Sequence, residues 1–209
     1  FRRPAIIPIT PPCQLSPQTN RLHFHPALLQ KLLQAADPVP LSGQGSCKKL
    51  FLEDPPFFSS WGERRFNTYN YKDLSSVCHS FIEQEAEKDF VYYYFINQYC
   101  WNFFPENARE NIKKKLGGFA LKYRTKHPDK NLKVRFWPKK FLQAFQGLQH
   151  YDPYFGEAFY IDSFNNNVDY HKLLTNIQCE TLFMKANTTI DEQGLLQGAL
   201  SEEDLKQVN

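Results

Sequence analysis

An α/β fold, with a partial parallel sheet interrupted by a large helical insertion, is predicted by two short strands and by what separates them. Residues 49–60 read KLFLEDPPFFSS, and residues 177–186 read IQCETLFMKA. Each is a short apolar, β-prone run that stops abruptly at proline or polar residues, which suits a strand buried in a parallel sheet. Between them lie more than a hundred residues that read almost entirely as helix. The order is core strand, long helical excursion, core strand.

The N-terminal residues 1–22 are rich in proline, with Pro4, Pro8, Pro11, Pro12 and Pro17. Ile6, Ile7 and Ile9 have the character of an edge strand, but Pro8 interrupts the run, so extended or disordered chain is expected. Residues 26–36, PALLQKLLQAA, change to helical spacing, with Pro26 suited to the first turn and Asp37-Pro38 as the stop. Val39-Pro40-Leu41 is a weak strand that runs into Gly43-Gln44-Gly45-Ser46-Cys47. Leu50, Phe51 and Leu52 form the first strong strand, and Asp54-Pro55-Pro56 ends it because proline cannot extend the ladder.

From Asp73 a helix places Leu74, Val77, Cys78, Phe81, Ile82 and Ala86 on one face and mostly charged residues opposite. Phe90 to Phe104 is apolar or aromatic nearly all round, so it is expected to be buried or to line a cavity. Pro105 starts a further helix, expected to close at Lys113–Lys115 and Gly117-Gly118. Residues 138–145 read as one more short helix, and Asp152-Pro153 as the start of a loop-rich return. Asp169 can cap a helix through Leu174. Thr181 to Met184 form the second strong strand, and Ser201-Glu202-Glu203-Asp204 opens a final helix.

Composition narrows the function classes. Of the 209 residues, 42% are hydrophobic and 16% aromatic, with 19 Phe and 11 Tyr. That aromatic excess points to a large apolar interior or an apolar pocket. Net charge is +3. Lys113, Lys114 and Lys115, then Lys122, Lys126, Lys130, Lys133, Lys139 and Lys140, form a basic run without a nucleic-acid-binding motif, diluted by Glu106, Glu110 and Asp129 and read as a solvated helix face. The longest apolar stretch is too short and too polar to span a bilayer. Neither nucleic acid nor membrane is therefore expected as a partner. Five cysteines, Cys13, Cys47, Cys78, Cys100 and Cys179, show no CxxC pair, which suits free thiols in a reducing compartment, and a cytoplasmic location follows. The Asn187-Thr188-Thr189 sequon has no signal peptide to support its use. His23 and His25 lack a completing ligand set, so no metal is expected. No cofactor motif occurs, and GQGSCKK lacks the spacing of a phosphate-binding loop.

Three stretches resemble α/β hydrolases with a helical cap. KKLFLEDPPFF resembles the strand after the nucleophile helix, YDPYFGEAFYIDSF the exit from the cap, and IQCETLFMKANTTIDEQGLLQGALSEEDLKQV the next strand, its acid-bearing loop and the following helix. The resemblance implies a division into a Pro-rich N-terminus (1–25), a partial hydrolase core (26–60), a helical cap (61–150) and a C-terminal core segment (151–209). It also implies kinship with enzymes that cleave esters or similar bonds in small apolar substrates. Tyr94, Trp101 and Phe104, among other cap aromatics, would line the apolar pocket.

The chemistry of that family needs a nucleophile on a sharp turn, a histidine to take its proton and an acid to orient the histidine. The turn motif is G-x-S-x-G. Here Gly45 stands where the motif wants serine, and only a few residues separate that turn from KLFLE, leaving no room for the nucleophile helix. The six histidines, His23, His25, His79, His127, His150 and His171, all precede the acid loop, whereas the catalytic histidine should follow it. Asp191 is the position matched to the acid, with Glu192 beside it and Asp54 as an alternative. Ser46 or Cys47 would be an improvised nucleophile. A truncated or inactive hydrolase relative is the expectation. The alternative is a non-catalytic module holding a small apolar ligand in the cap pocket.

Overall fold

A computed structural model describes residues 5–8 and 49–208, apart from 136, 138–141, 143, 144 and 167. The helix expected over 26–36, the Gly-rich turn with Ser46 and Cys47, His23, His25, Cys13 and most of the helix expected over 138–145 lie outside the described residues. The chain divides into two compact units. One is built from described residues of 1–69 with 164–209, the other from 70–163.

The first unit is mixed α/β. Strands β1 (Ala5–Pro8), β2 (Lys49–Glu53) and β3 (Glu180–Lys185) form a sheet in the order β1-β3-β2. The two strong runs pair in parallel, Lys49 opposite Glu180 through Glu53 opposite Met184. A Lys49–Glu180 ion pair at 2.9 Å opens that ladder. Leu50, Leu52 and Phe183 bury their side chains from the sheet, as period-2 alternation dictates. The isoleucine-rich run near the N-terminus is a strand after all. Ala5–Pro8 pairs antiparallel with β3, and Pro8 occupies its last position, on an edge where a missing N–H is tolerated.

β2 ends at Asp54, which adopts a left-handed conformation (φ 44°). Its N–H donates to Met184 O at 2.7 Å and its carboxylate accepts from Ala186 N at 3.2 Å. A short polar side chain that bonds nearby backbone tolerates this region. After Pro55-Pro56, a 3₁₀ turn over Phe57–Ser60 buries Phe57 and Phe58. Phe57 packs on Phe183 and Tyr170, with ring centroids at 6.2 and 5.4 Å.

The second unit is helical. An i→i+5 turn over Tyr71–Ser75 leads into α1 (Ser76–Glu83), followed by α2 (Phe90–Asn97), α3 (Glu106–Lys126) and α4 (Pro153–Tyr160). In α1, Val77 and Cys78 are buried on the expected face, but the helix stops at Glu83, short of Ala86. There Gln84 takes over the backbone groups, donating to Phe81 O and Glu87 O and accepting from Glu87 N.

Three expectations are corrected in this unit. Helix α3 does not close at Gly117-Gly118 but continues to Lys126. Gly117 is buried in the helix interior, where an added Cβ would lie 3.3 Å from Ile96 Cγ2. This glycine permits close packing instead of ending the helix. The helix stops before His127-Pro128, as the residue preceding proline disfavours helical backbone. Second, Asp152-Pro153 opens α4 and not a loop. Asp152 caps by accepting from Tyr154 N, and Pro153 takes the first helical position. Phe103, expected in the apolar interior, is 62% exposed.

Back in the first unit, α5 (Tyr170–Thr175) starts as expected at Asp169, whose side chain accepts from Lys172 N at 3.0 Å. A small hairpin, β4 (Thr189–Ile190) and β5 (Leu196–Gln197), follows β3 without having been expected. Ser201 caps α6 (Glu202–Leu205). Among the described residues no helix is long and apolar enough to cross a membrane.

Candidate functional site

In open α/β sheets, ligands meet the protein beyond the carboxyl ends of the parallel strands. Here that end carries Asp54 after β2 and Lys185 at the end of β3, followed by the hairpin and α6. Burial pushes the Asp54 carboxyl above its ordinary value, against the opposing pull of the Ala186 N–H and the Lys185 charge. Lys185 is a buried cation with all its reach used. Its Nζ donates to Ala186 O at 3.0 Å, Thr188 Oγ1 at 2.9 Å and Glu202 Oε1 at 2.7 Å.

Asp191 lies in the loop after β3, between the hairpin strands. Its Oδ1 accepts from Gln193 N at 3.1 Å and Leu195 N at 2.8 Å, and its Oδ2 from Gln197 Nε2 at 3.2 Å. The carboxylate thus organises the turn between β4 and β5, in the manner of an Asx-turn. Among the described residues none of its hydrogen bonds goes to a histidine. His171 in this unit lies against the Phe58 ring, at 4.7 Å between centroids. Asp191→Ala should loosen the hairpin by about 1 kcal/mol, because two backbone N–H groups lose their acceptor. Faster amide hydrogen exchange at Gln193 and Leu195, with the β3 amides unchanged, is the expected result. Ser46, the other position considered for catalysis, lies outside the described residues.

A carboxylate that sequence reading did not single out is the most densely bonded group in the unit. Asp204 is 1% exposed. It accepts from Ser59 Oγ at 2.5 Å, from Arg64 Nη1 and Nη2 at 2.9 and 2.8 Å, from Ser201 Oγ at 2.8 Å and from Gln207 Nε2 at 3.0 Å. Ser59 Oγ in turn accepts from Ser201 N at 2.9 Å. Burial alone would raise the Asp204 carboxyl, but the hydrogen bonds from Arg64, Ser59 and Ser201 hold it below its ordinary value. A depressed carboxylate is a poor general base, so Asp204 is ill suited to activate Ser59. The cluster is a clasp that ties residues 57–64 to α6. The local signal was Ser201-x-x-Asp204, a helix-start pattern, but Ser59 and Arg64 are 145 and 140 residues away along the chain.

In the helical unit, Tyr94, Trp101 and Phe104 belong to one aromatic network. Trp101 and Phe104 meet around Trp137, with centroids 4.9 and 5.8 Å from it, and Trp101 Nε1 donates to Phe95 O at 2.7 Å. Tyr94 connects through Phe145, which also touches Phe95, and its hydroxyl donates to Asp73. Asp73 also accepts from Tyr99 N, and burial raises its carboxyl. His79 pairs with Glu157 at 3.0 Å and stacks on Tyr160 at 3.9 Å, linking α1 to α4.

The buried thiols of Cys78 and Cys100 are both pushed up to about 12 by desolvation, so neither supplies a thiolate nucleophile near neutral pH. Among the described residues no group of three His, Cys, Asp or Glu side chains is placed to hold a metal. No protein-family description matches the chain, and a search of curated proteins finds no match.

Proposed function

We propose that this chain is a relative of the α/β hydrolases that performs no acyl-transfer chemistry. The observation that carries this reading is the parallel pairing of β2 with β3 across residues 54–179, followed by a loop whose acid, Asp191, bonds the hairpin and, among the described residues, no histidine. The sequence supports the loss of chemistry as well. G-x-S-x-G occurs nowhere in the 209 residues. Without a general base, a serine hydroxyl is a weak nucleophile at neutral pH.

Intact mass after treatment with a fluorophosphonate tests this reading, with an active serine esterase treated in parallel. The expected mass is that of the untreated chain, with p-nitrophenyl butyrate hydrolysed at the buffer rate. A stoichiometric adduct mapped to Ser46 would overturn it.

A further inference from the structure

We propose that the helical unit is a closure device for the sheet. Folded on its own core, it holds the two ends of the chain it interrupts side by side and so favours the pairing of β2 with β3. Parallel strands cannot be joined by a tight turn. Here the whole of residues 54–179 separates β2 from β3. Bringing the two strands together costs loop-closure entropy before any ladder bond offsets it.

The helical unit has a core that owes nothing to the sheet. That core runs through Val77, Val91, Phe95, Trp101, Ala120 and Leu148, and all of its members, half-buried neighbours included, lie between residues 74 and 151. The beginning and end of the unit are held together. Tyr71, in the first turn, stacks on Tyr160, in the last helix, with 5.2 Å between ring centroids and 6° between planes. Tyr160 also stacks on His79, which bonds Glu157 at 3.0 Å. Within the first unit the incoming and outgoing segments meet as well, Asn165 Nδ2 donating to Ser60 O at 3.0 Å. Adjacent ends are what allow one domain to sit inserted in another chain.

Length sets the size of the effect. With the helical unit unfolded, the loop to be closed is all of 54–179. With it folded, only 54–69 and 164–179 remain loose, about a quarter of that length, and a 3/2-power dependence on length makes strand pairing about eightfold more favourable. The coupling is reciprocal, so the paired sheet favours the folded helical unit by the same factor.

Hydrogen exchange of the full chain in increasing urea tests the proposal, read at the β2 and β3 amides and at the α2 amides. Two variants open the helical unit early. Gly156→Ala forces α1 and α4 apart, and Phe95→Ala empties a core position that touches Trp101, Trp137 and Phe145. At urea concentrations where α2 has lost protection in a variant, β2 and β3 should stay protected but exchange about eightfold faster than in the parent chain at the same urea. Asp204→Ala, in the first unit, should speed α2 exchange by no more than that factor. Exchange of β2 and β3 that does not respond to the opening of α2 would overturn the proposal. So would a rise to the rate of an unfolded peptide, which is a coupling too large for chain closure.

Discussion

Asp204→Ala is expected to destabilise the first unit by about 2–4 kcal/mol. The carboxylate is 1% exposed and accepts hydrogen bonds from five side-chain N–H or O–H groups on four residues. Removing it leaves the buried Ser59 hydroxyl without an acceptor, while Ser201 loses the carboxylate it donates to. Arg64 contributes less to the loss, because its side chain is 51% exposed and can turn to water. Faster hydrogen exchange over residues 57–64 and 201–205 is the local readout, and an unchanged exchange pattern would refute the clasp.

The pH dependence has a definite sign. The folded-state value of Asp204 lies below its ordinary value, so the unfolded chain takes up a proton first as pH falls. The stabilisation is complete above the unfolded value, about 3.9, and is lost as pH falls through the lower folded value. Asp204→Asn should therefore differ most from the parent at neutral pH and converge with it under strong acid. Asp54 and Asp73 act in the opposite direction. Their raised carboxyls hold protons more tightly in the folded state, so each detracts from stability as pH rises through the ordinary range.

Gly156→Ala is expected to destabilise the helical unit by about 2–4 kcal/mol, although alanine is the better helix former by about 1 kcal/mol. Gly156 lies on α4 against α1. An added Cβ would stand 2.3 Å from Cys78 Sγ, 2.6 Å from Cys78 Cβ and 3.5 Å from Leu74 O. The thiol could be removed, but the Cβ is fixed to the backbone, so the two helices would have to separate. Cys78→Ala in the same chain should therefore rescue only part of the loss. A melting temperature lowered by roughly 5–10 °C for Gly156→Ala is the expected readout. A variant as stable as the parent would mean that α1 and α4 do not approach this closely.

Gly156 and Gly117 show why glycine is hard to read from a single chain. Lys113–Lys115 followed by Gly117-Gly118 has the local pattern of a helix stop, yet the helix runs on through both glycines, and Gly117 lies where an added Cβ would stand 3.3 Å from Ile96 Cγ2. Neither the neighbouring helix nor its distance is written near the glycine. Asp152-Pro153 is the reverse case. The start signal lies in two adjacent residues, because Asp152 caps and proline stands at the first position, where a helix accepts it. β1 was underestimated for a related reason, since Pro8 falls at the end of an edge strand and not in its middle.

The candidate site was legible only in its placement. Asp191 lies after β3, where the resemblance put it, and Tyr94, Trp101 and Phe104, read as pocket-lining aromatics, belong to one aromatic network. Which atoms their polar groups bond was not legible, because Asp191 turns back on its own hairpin and Tyr94 reaches Asp73.

By itself, the sequence determined the features governed by neighbours in the chain: where β2 stops, which two runs become core strands, and the caps at Asp169 and Ser201. Those are set by backbone dihedrals, by missing N–H groups and by side chains that reach only a few residues. Only the tertiary structure decided the residue register in which β2 and β3 pair, that α3 runs through two glycines, and that Ser59, Arg64 and Asp204 form one clasp. Each depends on groups that become neighbours after folding, whose contact energies no local pattern records.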